Sequence, residues 1–90
     1  MKFIKLNRRF NQFKEARHTV CFRFDSYSNQ SIDVEQALRS LTNTGGWEKN
    51  GEWYGYFGKG RSPRPYFITV RDEALASMVL LKISNDATIA

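Results

Sequence analysis

Hydrophobic and polar positions alternate most cleanly over residues 18–25, where Val20, Phe22 and Phe24 face one way and Thr19, Cys21, Arg23 and Asp25 the other. A period of two over that length predicts a half-buried strand. The turn-rich run Ser26-Tyr27-Ser28-Asn29-Gln30 follows, and the spacing then becomes helical, with Val34, Ala37, Leu38 and Leu41 at i, i+3, i+4 and i+7. Ser31 is placed to cap a helix over 32–42, Asp33 and Glu35 complement the positive end of its dipole, and Asn43-Thr44-Gly45-Gly46 stops it. Residues 52–57 and 66–70 read as strands flanking the glycine- and proline-rich loop 58–65, and Asn50-Gly51 signals a turn that closes a small hairpin. Asp72 caps a second helix, for which the alanines and leucines favour helix over strand across 76–83. Residues 84–90 are expected as a short last strand or a tail.

At the N-terminus Leu6, Phe10 and Phe13 lie at i, i+4 and i+7, which predicts a helix within 1–17. A strand over 2–6 followed by a short helix is the other arrangement the residues allow. No repeat or linker interrupts the 90-residue chain. The expectation is one domain: a basic N-terminal segment over 1–17, a core over 18–83, and the last few residues. The order of elements predicts the α+β class, a small ferredoxin-like (split β-α-β) antiparallel sheet with two helices on one face and an extra basic N-terminal helix. The opposite sheet face then needs a lid, water or a second copy of the chain.

Charge sharpens this picture. Fourteen Lys and Arg against nine Asp and Glu give a net charge of +5. Lys2, Lys5, Arg8, Arg9, Lys14 and Arg17 face Glu15 alone within residues 1–18, whereas the remaining 72 residues carry equal numbers of each sign. The whole excess is N-terminal, and such a segment attracts phosphate backbones, anionic membrane surfaces or acidic protein faces. No apolar run approaches the roughly 20 residues that cross a bilayer. No apolar stretch follows the first basic residues, so a secretory signal is not expected and a cytoplasmic protein is.

Catalytic patterns are sparse. One cysteine, Cys21, and one histidine, His18, exclude a disulfide framework and a zinc module, so no cofactor or metal is expected. Three residues apart on a strand, His18 and Cys21 face opposite ways and form no nucleophile–base pair. Gly58-Lys59-Gly60 lacks the glycine and hydroxyl spacing of a nucleotide-triphosphate loop. The denser signal is aromatic and basic. Trp47, Trp53, Tyr54, Tyr56, Phe57, Tyr66 and Phe67 are seven of the thirteen aromatics, within 21 residues, with Lys59, Arg61, Arg64 and Arg71 in or beside them. Rings edged by guanidinium groups stack bases and hold phosphates, and the same composition makes protein hot spots. Alternation separates Trp53 and Phe57 from Tyr54 and Tyr56, and phenol tolerates water better than indole, so Tyr54 and Tyr56 are the expected exposed pair.

Tyr54-Gly55-Tyr56-Phe57 resembles the middle of the aromatic strand signature of RNA-recognition motifs, without its preceding basic-glycine pair. A strand ending in Asp25, then a helix and a tyrosine-rich strand, is similar to the ribonuclease-like folds of virulence-associated protein D and the CRISPR-adaptation family, which implies a role for Asp25 at a dimer interface. In size and style the chain resembles the small accessory and anti-defence (anti-CRISPR-like) proteins of phages. The first expectation is therefore a non-enzymatic binding protein that docks on a larger macromolecular complex and modulates it. A direct RNA- or single-stranded-DNA-binding domain is the alternative, and a metal-dependent nuclease dimer the third. The candidate contact residues are Arg8, Arg9, Lys14, Arg17, Tyr54, Tyr56, Lys59, Arg61 and Arg64. The expected partner is a protein complex or a nucleic acid, not a membrane, with a homodimer through the open sheet face as a further arrangement.

Overall fold

Seven elements follow one another in the computed structural model: β1 (Lys2–Lys5), α1 (Asn11–Ala16), β2 (Val20–Phe24), α2 (Asn29–Leu41), β3 (Trp53–Phe57), β4 (Tyr66–Val70) and α3 (Glu73–Ile89). The structure describes residues 2–89, with side chains described for residues 2–83. The strands form one four-stranded sheet in the order β1-β2-β4-β3, and every neighbouring pair is antiparallel. β2 and β3 therefore run parallel, joined by the α2 crossover with β4 inserted between them. The protein is a small α+β domain. The place beside β2 is taken by the N-terminal β1, not by a strand after the last helix, so the strand order departs from the expected pattern. No helix among the described residues is long and apolar enough to cross a membrane.

The β2 alternation is realised as read. Val20, Phe22 and Phe24 join Ile68, Val70 and Trp53 in a core closed by Val34, Ala37 and Leu38 of α2 and Ala76 and Val79 of α3, so both long helices cover one sheet face. Trp53 is almost fully buried, and its indole N–H donates to the Thr42 hydroxyl (3.1 Å) at the end of α2. That hydroxyl donates to the Leu38 carbonyl (2.7 Å), which also accepts the Thr42 backbone N–H (2.8 Å), so Thr42 closes the last helical turn with both its groups.

Four sequence expectations are corrected. Residues 2–17 do not form one basic helix: the other arrangement read from the residues, a strand followed by a short helix, is the one observed, as β1, a turn and the six-residue α1. Asn7 sets the turn, its Oδ1 accepting from the Arg9 N–H (2.9 Å) and its carbonyl from the Phe10 N–H (3.0 Å). α2 starts three residues early, with Ser28 at the N-cap and the Ser31 hydroxyl accepting from the Ser28 N–H (2.9 Å), so Glu35 lies mid-helix. The turn here is centred on Lys49-Asn50, with the Gly51 N–H donating to the Glu48 carbonyl (2.9 Å), not on Asn50-Gly51, and β3 pairs with β4 and not across it. Finally, α3 continues through Ile89, where a short strand or tail was expected over 84–90; Ala90 lies outside the described residues. Helix over 76–83 is as expected, and Asp72 caps it through the Ala74 N–H (2.9 Å).

Candidate functional site

The face of the sheet away from α2 and α3 is read from the strand register. Residues directly opposite one another in paired strands share a face. Lys2 pairs with Arg23, Arg23 with Phe67, and Phe67 with Tyr56, so one row across the sheet reads cation, cation, aromatic, aromatic. The next row is Ile4, Cys21, Thr69 and Tyr54. α1 and the turn before it lie over this second row: Cys21 and Thr69 are buried, and the Gln12 side chain donates to the Thr69 hydroxyl (3.2 Å). In the first row Arg23 and Lys2 are exposed, and Phe67 and Tyr56 are half-buried.

The aromatic rings form a continuous stack. Tyr54 and Tyr56 lie 5.4 Å apart with 20° between their planes, and Tyr56 and Phe67 lie 5.3 Å apart at 21°. The three rings stack on one another in the near-parallel arrangement that π-faces adopt, and all three remain partly exposed. Burial raises the pKa of the Tyr56 phenol, with Cys21 and Tyr54 adding to the effect. Beside the stack, Arg9, Phe10, Gln12, Cys21, Tyr56 and Phe67 border a cavity of about 290 Å³. A second cavity of about 220 Å³ lies between Asn11, Gln12, Lys49, Tyr54 and Tyr56.

Lys2 and Arg23 sit directly opposite each other, and like charges so placed repel. Asp25 follows two residues later on the same face, yet among the described residues no carboxylate lies within ion-pair distance of either cation. An anion between them relieves the repulsion.

Of the residues singled out from sequence, Tyr54 and Tyr56 lie on this face and Arg9 joins Tyr56 at the larger cavity. Arg8, Lys14 and Arg17 are exposed, with Arg17 in the left-handed conformation that ends α1. Lys59, Arg61 and Arg64 are exposed in the loop 58–65. Arg64 lies over the Phe57 ring (5.0 Å), which belongs to the helix-side face, and so turns away from the stack. Lys2, Gln12, Arg23 and Phe67 were missed. Arg23 and Phe67 each stood on the polar or second side of a strand alternation, but only the register joins them.

The remaining chemistry is structural. Cys21 is a buried thiol pushed up to about 12 by desolvation. His18 is fully buried with both ring nitrogens engaged, Nε2 on the Gly51 carbonyl (2.8 Å) and Nδ1 on the Thr69 hydroxyl (2.7 Å). Glu35, assigned by sequence to a helix start, is buried; its Oε2 accepts from the Tyr66 hydroxyl (3.0 Å) and lies 3.6 Å from the Arg39 guanidinium. Among the described residues no three His, Cys, Asp or Glu side chains come together as metal ligands, and Asp25 is exposed at the end of β2. Comparison with protein-family models, curated proteins and solved structures finds no match to this chain.

Proposed function

We propose that the protein is a binding module, not an enzyme, and that its sheet face away from α2 and α3 holds a single-stranded nucleic acid. The observation that carries this reading is the row Lys2–Arg23–Phe67–Tyr56, in which two unpaired cations continue a stack of parallel rings. Bases stack on Phe67, Tyr56 and Tyr54 while the backbone phosphates meet Arg23 and Lys2, the division of labour that sequence-tolerant single-strand binders use. The neutral Cys21 thiol and the doubly engaged His18 ring argue for binding over nucleophilic chemistry. We read β2-α2-β3-β4-α3 as a ferredoxin-like core in a cytoplasmic protein, with β1 standing in for the last strand.

Fluorescence anisotropy of labelled single-stranded RNA, titrated at about 50 and 200 mM salt, tests the proposal. Binding is expected to weaken steeply with salt and to lose about 1–3 kcal/mol in each of Tyr56→Leu and Phe67→Leu. Equal affinity in wild type and both variants removes the stack from the function.

Docking on a larger macromolecular complex, in the manner of small accessory and anti-defence proteins, is the second reading. It is favoured by Trp47 at 83% exposure and by Met78 and Leu81, at 52% and 64%, on the outward side of α3. Stoichiometric association with a protein partner, lost in Trp47→Ser or Leu81→Glu while RNA binding is retained, would bring this reading forward.

A further inference from the structure

The direction of one hydrogen-bond chain determines what the larger cavity can recognise. The Gly51 carbonyl only accepts, so His18 Nε2, 2.8 Å away, carries the ring proton. The ring is enclosed, desolvation lowers its pKa, and Nδ1 is then an acceptor. Its donor is the Thr69 hydroxyl at 2.7 Å, which is much closer to Nδ1 than to its other acceptor, the Tyr54 carbonyl at 3.4 Å. With its proton directed to His18, the Thr69 oxygen takes a hydrogen bond from Gln12 Nε2 (3.2 Å). The orientation of the Gln12 amide is thereby set from Gly51 outward. Its Oε1 is left buried, with no hydrogen-bond partner, on a side chain that borders both cavities. A buried acceptor in this state calls for a donor.

We infer that the cavity between Phe10, Gln12, Tyr56 and Phe67 receives one nucleobase bearing an exocyclic amino group, whose N–H donates to Gln12 Oε1. The inference rests on the nucleic-acid reading of the sheet face and adds to it a preference among bases. A volume of about 290 Å³ suits a single ring system, being at the small end of ligand pockets. Tyr56 and Phe67 supply the stacking wall, Phe10, the N-cap of α1, adds a third ring to the lining, and Arg9, also in the lining and exposed, is the cation available to the phosphate. Adenine and cytosine present an amino group at the base edge, as guanine does. Uracil and thymine present one imide N–H flanked by two carbonyls, and a carbonyl set against Oε1 is repelled. A glutamine amide is the side chain suited to an amino-bearing edge.

The test compares, on the wild-type protein, short oligoadenylate with the same oligomer carrying purine in place of adenine, which removes the amino group alone. Adenosine monophosphate and its purine counterpart are titrated in parallel by calorimetry. Oligoadenylate is expected to bind about tenfold tighter than the purine oligomer. The difference is expected to vanish in Gln12→Met, whose fold is checked by circular dichroism. Oligomers that bind equally with and without the amino group overturn the cavity assignment and leave the stacking platform standing. Amine-dependent binding of the mononucleotide without any oligomer binding does the reverse, keeping the cavity and overturning the platform. Binding of neither overturns both.

Discussion

His18 is the chain's single histidine, and its burial converts it into a record of pH. In the unfolded chain it titrates at its ordinary value of 6.5, whereas in the native state desolvation holds it lower. The unfolded state therefore binds the proton first, and stability falls as pH drops below 6.5 until the native ring titrates as well; above 6.5 the contribution is complete. Thermal midpoints are expected to fall between about pH 7 and 5 for wild type and to stay level over that range for His18→Gln. Parallel acid limbs in the two proteins would assign the loss to other groups. Cys21 gives a companion reading at the same scale. Its thiol, pushed up to about 12, leaves almost no thiolate near neutrality, so a thiol reagent is expected to modify the native protein far more slowly than the urea-unfolded chain. Prompt labelling of folded protein would contradict its burial.

At the scale of elements, the join between α2 and β3 is the most constrained segment. Gly46 has φ +85°, and a Cβ there would stand 2.3 Å from the Trp53 ring, itself held by Thr42. Gly46→Ala combines backbone strain with an overpacked core, and a loss of about 2 kcal/mol or more is expected in urea unfolding. An alanine variant as stable as wild type would mean that the ring moves freely, against its burial. The sequence marked this place only as a helix stop, because Trp53's partner lies eleven residues back. Elsewhere legibility followed the uniqueness of the period. β2 alternates without competition, β4 carries strong β propensity, and the alanines and leucines of α3 tip 76–83 from strand to helix, so these three were readable, although the end of α3 was not. The N-terminus was not, because Leu6, Phe10 and Phe13 fit a helical face while Lys2-Phe3-Ile4-Lys5 also fits a strand; the Asx turn at Asn7 decides between them. The start of α2 was misplaced because Ser28 and Ser31 are both good caps; the Ser31 hydroxyl, which accepts from the Ser28 N–H and donates to the Ser28 carbonyl, serves the N-cap residue Ser28 from within the first turn. Tyr54 and Tyr56 were placed on their face by alternation alone. The row that joins Phe67 and Arg23 to them needs a cross-strand register, which no single segment encodes.

For the whole molecule, folding redistributes the N-terminal charge that dominates the sequence. Lys5 crosses to the helix side and pairs with Glu73 (3.4 Å), Lys14 and Arg17 stay exposed, and Lys2 is carried by β1 to lie beside Arg23. The cationic surface next to the ring stack is thus assembled from three places in the chain, namely β1, the turn at Arg9 and the C-terminal part of β2. Arg23 separates a binding role from a structural one, because the free protein gains nothing from its charge. Replacing it by threonine keeps a residue at home in a strand and removes the repulsion with Lys2, so stability is expected to hold or rise by about 0.2–1 kcal/mol. Nucleic-acid affinity moves the other way: the slope of log affinity against log salt is expected to shrink by about one contact in Arg23→Thr. Lys5→Ala, whose cation is already paired on the far side, is expected to leave that slope unchanged, and Arg64→Ala, drawn onto Phe57, to alter it less than Arg23→Thr does. A variant series in which all three substitutions lower the slope equally would show that only net charge matters, and that the row across the sheet has no special place in binding.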